Sequence, residues 1–309
     1  MANQTFKISE SDAGVRLDKL VTTWSGLSRG AVRKLFDEGR VLVGSRRGTK
    51  GEVLAVGRQV TLDVPDARAD GPAVPETSPE IPLVVLFERD DVVVVDKPAG
   101  QPTAPLRGGE IGTLANALVG RYPEMASIGF APREPGIIHR LDNDTSGVVV
   151  AARTKEASDA LAAGLKRGEL GRRYLAVCED HDLPDSGTVE IPLAPHPKDK
   201  RRVLACLHPS DVRRLTPRAA STEYKVLSRH GDIALVEVSA PRALRHQIRV
   251  HLAAIGGVIV GDMLYGATLG KELGRHALHA ASVTWRGDEV VSPFSAEAPL
   301  PPALAALVG

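Results

Sequence analysis

The chain has 309 residues, 43% hydrophobic and 25% charged, with 39 basic side chains against 38 acidic ones. This is ordinary globular composition, long enough for one sizeable core and a smaller module, and it excludes a fibre, a disordered chain and a polycation that binds nucleic acid by net charge. No window approaches the ~20 apolar residues of a membrane span, the start Met1–Lys7 lacks the apolar core of a signal peptide, and Cys178 and Cys206 have no spacing suited to a disulfide framework or to zinc.

Residues 14–64 read as a compact unit of two short helices and a small sheet. One helix begins at Gly14–Val21, and a second restarts after a cap at Ser28. In the second, Val32, Leu35 and Phe36 fall at i, i+3 and i+4 and mark a core face, leaving Arg29, Arg33 and Lys34 on the other side. Gly39-Arg40-Val41-Leu42-Val43 turns into a strand, and Gly57–Leu62 supplies another. Residues 1–64 carry eleven basic and seven acidic side chains, so charge concentrates here although the chain as a whole is balanced.

Residues 65–82 contain five prolines and little hydrophobic periodicity, which reads as a semi-stiff linker. From Leu83 onward strand-like runs (92–95, 148–152, 174–178, 223–227, 233–238, 281–285) alternate with helical windows at 157–165 and 247–255. The runs 224–227 and 234–238, joined by His230-Gly231-Asp232, have the look of a hairpin. Further basic clusters lie at Lys166-Arg167, Arg172-Arg173 and from Lys198 to Arg218. No Gly-rich dinucleotide or phosphate loop is present. The fold class is α+β: a mostly antiparallel mixed-sheet domain over 83–309 with a small α/β domain over 1–64.

The nonapeptide His139-Arg140-Leu141-Asp142-Asn143-Asp144-Thr145-Ser146-Gly147 puts a carboxylate two residues from a guanidinium in a turn that feeds the apolar run Val148–Ala152. Loops feeding buried strands are where catalytic side chains collect.

This nonapeptide resembles the signature of the RluA-like pseudouridine synthases. Four further segments match that family in its order: Asp91–Gly100 with Lys97-Pro98-Ala99-Gly100; Gly112–Leu118, a helix start; Arg173-Tyr174-Leu175-Ala176-Val177; and His246-Gln247-Ile248-Arg249-Val250-His251-Leu252, followed by Gly261-Asp262 and Tyr265-Gly266. Arg16-Leu17-Asp18-Lys19 and Gly39–Val43 resemble the S4 RNA-binding domain. The resemblance implies a pseudouridine synthase fold behind an N-terminal S4 domain, and isomerisation of uridines in structured RNA without a cofactor. Ribosomal RNA of the large subunit (23S) is the expected substrate, and a cytoplasmic monomer is the expected form.

The implied roles follow residue by residue. Asp142 is the catalytic carboxylate, Arg249 the cation that keeps it ionised, and Tyr174 the ring that stacks on the flipped uracil. Arg140 touches RNA or helps displace the base. His139, Thr145, His246 and Gln247 are expected to bind substrate, and Arg29, Arg33, Lys34 and Arg40 to meet RNA from the N-terminal domain. One departure stands out: where the family shows Thr-Gly-Arg-Thr before His246, this chain has Arg242-Ala243-Leu244-Arg245, which leaves open whether Arg242 or Arg245 replaces the lost arginine. Three alternatives remain at this point: an RNA-binding or chaperone-like protein of the same fold without activity, a tRNA pseudouridine synthase, and hydrolysis by a carboxylate pair.

Overall fold

The computed structural model describes residues 2–25, 29–64, 75–129 and 131–309. The expected cap at Ser28, the side chain of Arg29 and most of the expected linker, residues 65–74, lie outside what is described. The chain divides into two compact units, Met1–Val74 with Leu106–Glu110, and Pro75–Pro105 with Ile111–Gly309.

In the first unit β1 (Ala2–Lys7), β2 (Val41–Val43), β3 (Arg46–Arg47) and β4 (Gln59–Val64) form an antiparallel sheet in the order β1-β4-β2-β3, accompanied by α1 (Leu17–Ser25) and α2 (Arg29–Asp37). Leu17, Leu20 and Val21 of α1 pack with Val32 and Leu35 of α2 over Val41, Val60 and Leu62. The expected amphipathic split of α2 is present: Val32 and Leu35 are buried, whereas the Arg33 and Lys34 side chains are 77% and 75% exposed. β1 has little sequence signal of its own. It forms because β4 offers a partner along its full length, and because Phe6 stacks on Trp24 at 4.9 Å.

The second unit is built on a nine-stranded sheet. Its strands are β5 (Val84–Glu88), β6 (Val92–Lys97), β7 (Ser146–Ala152), β8 (Leu170–Glu179), β9 (Ser186–Val189), β12 (Thr222–His230), β13 (Ile233–Ser239), β14 (Leu278–Trp285) and β15 (Phe294–Glu297). The order is β5-β6-β7-β14-β8-β13-β12-β9, with β15 on β14. Every pairing is antiparallel except β7 with β14, where Ser146 and Gly147 face His279 and Ala280. The expected hairpin is β12–β13.

Sequence pattern accounts for the layering. β6 and β7 are apolar at nearly every position because both faces are covered. Alternation along the strands sends Val93, Val95, Val149 and Ala151 into one core and Val92, Val94, Val148 and Val150 into the other. The first core includes residues of α3 (Leu114–Arg121) and, from the segment expected to be helical at 247–255, α6 (Gln247–Ala254); the second includes residues of α4 (Lys155–Arg167) with Trp285 and Phe294. Between β9 and β12 the chain makes a two-stranded ribbon, β10 (Leu193–Pro195) and β11 (Val203–Ala205), and then α5 (Pro209–Leu215); the short α7 (Pro302–Ala305) comes last. Among the described residues no helix is long and apolar enough to cross a membrane.

The described part of the Pro-rich stretch, residues 75–82, is not a free linker. Ser78 is buried, its N–H donates to Asn116 O at 3.3 Å, and the Asn116 amide donates to Glu76 O at 2.8 Å. An amide buried at the start of α3 has captured that backbone.

Candidate active site

Asp142 sits in a short loop entering β7, and the loop is held from three directions. Thr145 N–H closes a turn onto Asp142 O at 3.1 Å. The Thr103 hydroxyl donates to Leu141 O at 2.9 Å and accepts from Leu141 N–H at 3.3 Å. Lys97, fully buried, donates to Pro98 O, Gln101 O and Asn143 O at 2.9, 2.8 and 3.0 Å. Burial pushes the Lys97 ammonium down to about 8, against the pull of Asp144 and Asp142. The Lys-Pro-Ala-Gly turn thus serves as a clamp on the Asp142 loop.

The start of β7 is fixed as well. Gly147 has φ +111°, and a Cβ there would lie 2.1 Å from Ala280 O, so only glycine permits the close approach of β7 to β14. Thr145 Oγ1 is hydrogen-bonded to His276 Nε2 at 2.7 Å, and Ser146 Oγ to His279 Nδ1 at 2.9 Å.

Arg249, on α6, reaches Asp142 Oδ2 with Nη1 at 2.9 Å. Its Nε and Nη2 fork onto the two oxygens of Asp262 at 2.6 and 2.8 Å, the bidentate geometry that fixes a guanidinium most firmly. The Tyr265 ring lies 5.1 Å from Arg249 Cζ, and the Tyr265 hydroxyl accepts Val203 N–H at 2.9 Å and is hydrogen-bonded to His246 Nδ1 at 2.8 Å. This favours the His246 tautomer with its proton on Nε2, the nitrogen 3.7 Å from Asp142 Oδ2. His246 adopts φ +55°, a left-handed conformation costly for a residue with a Cβ and common at functional sites.

Burial pushes the Asp142 carboxyl up, but His246, in the acid range where its ring carries charge, and Arg249 outweigh it and hold the group below the usual carboxylate value. Burial drives the His246 imidazole down to about 4, so that ring is neutral at pH 7 and Arg249 is the permanent cation facing Asp142. For Arg249 burial works against the charge, and Asp262 with Asp142 holds the guanidinium above its ordinary value.

Asp142, Arg249, His246, Arg140, Leu244 and Tyr174 line one cleft of about 50 Å³. A larger and more open groove of about 610 Å³ lies across β8, β12, β13 and β14. Size alone would favour it, but none of Asp142, Tyr174, His246 or Arg249 lines it, and the chemistry belongs to the smaller one. Tyr174 is buried, with Arg172 Nη1 3.4 Å from its hydroxyl. Arg140 is half exposed at the cleft and pairs with Glu134 at 2.8 Å.

The structure therefore brings Asp142, Tyr174, Arg249, Arg140 and His246 together. Three expected substrate contacts are tied into the scaffold by their own hydrogen bonds. His139 is buried, its Nε2 accepts Val150 N–H at 3.2 Å, and burial beside Arg172 holds its imidazole neutral. The Thr145 hydroxyl is engaged by His276. The Gln247 amide accepts Leu244 N–H at 2.9 Å and donates to Ser221 O and Thr222 Oγ1 at 2.8 and 3.0 Å. All three side chains are buried; Thr145 and Gln247 nonetheless line the cleft, whereas His139 does not and keeps its Nδ1 without a hydrogen-bond partner among the described residues. In the departing loop, Ala243 and Leu244 line the cleft, which includes neither Arg242 nor Arg245, and Arg245 turns to the carbonyls of Lys200 and Arg201.

In the first unit Arg33 and Lys34 are exposed, each 3.7 Å from an acid one turn on, Asp37 and Glu38. Arg40 is less open, at 21%, and pairs with Asp63 at 3.2 Å and Glu38 at 3.5 Å. Asp262, Tyr265, Lys97 and His276 escaped the sequence reading of roles, although the first three stood in matched segments. The one available signal was their presence there. Among the described residues no cluster of His, Cys, Asp and Glu is arranged to hold a metal.

A sequence model of the family described as RNA pseudouridylate synthase matches residues 91–254. The chain is 34% identical over 308 residues to ribosomal large subunit pseudouridine synthase D of Xanthomonas campestris pv. campestris, covering 95% of this chain and 88% of that protein. It is 33% identical over 264 residues to the protein of the same name from Escherichia coli O157:H7, covering 85% and 76%. Among solved structures, human RNA pseudouridylate synthase domain containing 1 superposes with a TM-score of 0.56 at 25% identity, covering 75% of this chain and 89% of that one. The fold is likewise that of human RNA pseudouridylate synthase domain containing 4, with a TM-score of 0.55 at 24% identity over 72% and 90% of the two chains. The match spans more than half of the chain and takes in Asp142, Tyr174, His246 and Arg249, and on these grounds the chain belongs to the RNA pseudouridylate synthase family.

Proposed function

We propose that this protein isomerises specific uridines of large-subunit ribosomal RNA to pseudouridine, with Asp142 as the catalytic carboxylate. The reaction breaks the N1–C1′ bond, turns the freed uracil, forms C5–C1′, and transfers one proton overall from C5 to N1, so it is balanced without an oxidant, reductant or cofactor. The observation that carries the reading is an aspartate kept ionised in a largely buried cleft by an arginine that a second aspartate locks in place. An anion so placed can attack C1′ or take a sugar proton as the base departs. Tyr174 supplies an aromatic wall for the base, an interaction worth roughly 1–3 kcal/mol in single-strand binders.

Two relatives named as ribosomal large-subunit enzymes over most of the chain support ribosomal RNA as the substrate. The N-terminal unit, with its exposed Arg33 and Lys34, acts in this reading as an S4-type RNA-binding module. Mapping pseudouridine in RNA from cells with and without the gene tests the assignment. Loss of one or more large-subunit positions is expected, and an unchanged ribosomal map with a lost tRNA position would overturn the substrate.

A further inference from the structure

Residues 196–218, from the turn of the β10–β11 ribbon through α5, carry seven of the chain's 39 basic side chains and two of its 38 acidic ones, which leaves the remainder with an acidic excess of four. All seven cations are exposed. Two of them pair with acids within the segment, Arg201 with Asp199 at 2.9 Å and Arg214 with Asp211 at 3.3 Å. α5 buries no residue, so the segment does not serve to extend the core.

The ribbon is nonetheless anchored, and its anchors lead to the cleft. Arg245 donates from Nη1 to Lys200 O at 3.0 Å and from Nη2 to Arg201 O at 2.7 Å. Val203 N–H on β11 donates to the Tyr265 hydroxyl, which is in turn hydrogen-bonded to His246 beside Asp142. Arg202 and Arg249 both lie against the Tyr265 ring, with Cζ to centroid distances of 5.8 and 5.1 Å. A displacement of the ribbon would therefore reach the group that props His246 and packs on Arg249.

We propose that residues 196–218 form an arm that grips the phosphate backbone of the RNA strand beside the modified uridine, and that Arg245 and Tyr265 carry its seating to Asp142. The identity of the polyanion rests on the RNA-modifying reading above. Exposed cations concentrated on one anchored ribbon, on a body otherwise acidic, match a strand of regularly spaced phosphates.

The test uses the full chain and an unmodified transcript of large-subunit ribosomal RNA. Replacing Lys198, Lys200 and Arg213 together by Gln should make the slope of log affinity against log salt shallower by about 2, since each phosphate contact contributes about 0.7–0.9. An unchanged slope overturns the arm as a phosphate grip and leaves the surface to some other partner. Arg245→Lys keeps the charge but cannot fork onto two carbonyls. It should leave the slope intact and lower the single-turnover rate at saturating RNA about tenfold to a hundredfold, as misplacement of reacting groups does. A wild-type rate in Arg245→Lys overturns the coupling. Wild-type turnover on the same transcript separates the two readings: an active enzyme with an unchanged slope loses the arm and keeps the reaction, whereas an inactive wild type with a shifted slope loses the reaction and keeps the arm.

Discussion

Arg249 meets Asp142 through a single nitrogen, Nη1 to Oδ2 at 2.9 Å, and not through a fork. Among the described residues nothing donates a hydrogen bond to Asp142 Oδ1, and the residue lines the cleft, so one carboxylate oxygen is held and the other is left for chemistry. Asp142→Asn keeps the shape and an acceptor for Arg249 but loses the anion. It should abolish release of tritium from RNA labelled at uridine C5 while changing RNA affinity and denaturation midpoint little. Turnover by a deamidation-free Asn protein would remove Asp142 from its role.

The fork goes to Asp262, which makes Asp262 the orienting residue of the pair. Arg249→Ala leaves two facing carboxylates without their cation, and breaking one side of a buried pair typically costs about 3–5 kcal/mol. Arg249→Lys cannot hold Asp262 bidentately and reach Asp142 together. Asp262→Asn should keep more stability than Arg249→Ala yet lower the single-turnover rate, because the guanidinium loses its fixed direction. Equal rates for wild type and Asp262→Asn at saturating RNA would show that Arg249 needs no second anchor.

The pH dependence has a defined sign. Burial pushes His246 and His276 down to about 4, whereas an unfolded histidine titrates near 6.5. Between those values the unfolded chain takes up protons that the folded chain refuses. Stability is therefore full above about pH 6.5 and falls as pH drops toward 4, by roughly 2 kcal/mol per residue at about pH 5. Asp142, lowered below its usual value, stays ionised across this window. Activity per folded molecule should thus stay flat down to about pH 5 while the urea midpoint falls, and His276→Gln should flatten that fall. An activity loss near pH 6 in fully folded protein would contradict both assignments.

The Asp142–Arg249 pair was legible because two matched segments carry it, although 107 residues separate the partners. Asp262 was not, since an aspartate after glycine reads as a turn until the fold brings it against α6. The scaffold role of Gln247 was not legible for a related reason: beside catalytic residues a polar side chain looks like a ligand contact, and only tertiary packing reveals that its amide also ties Leu244 to Ser221 and Thr222. Strand β7 was visible as an apolar run. β14 was visible too, as the run 281–285, but its parallel pairing with β7 was not, because pairing across 133 residues leaves no local pattern.

Gly147 tests that parallel junction. With φ +111° and only 2.1 Å between the place a Cβ would occupy and Ala280 O, Gly147→Ala must part β7 from β14 or strain both. Losses of about 1–3 kcal/mol follow from the disfavoured backbone alone, and the clash adds to them. Because Asp142 lies five residues upstream, activity should fall beyond what the unfolded fraction explains. A Gly147→Ala protein with wild-type denaturation midpoint and rate would mean that the junction is looser than its backbone contacts indicate.

The N-terminal unit yields a separate expectation about binding. Arg33–Asp37 and Lys34–Glu38 are long, exposed pairs at 3.7 Å, and such helix pairs contribute about 0.3–0.5 kcal/mol, little enough for a phosphate to displace the acid. Neither side chain supports the core, which on α2 comes from Val32 and Leu35. Arg33→Gln with Lys34→Gln should leave stability within about 0.5 kcal/mol and make the salt slope of binding to the ribosomal transcript shallower by about 1.5, from two lost contacts. The rate at saturating RNA should be that of the wild type, because Asp142, Tyr174 and Arg249 belong to the other unit. A slope equal to the wild type's would deny α2 a part in RNA binding and leave that work to the second unit.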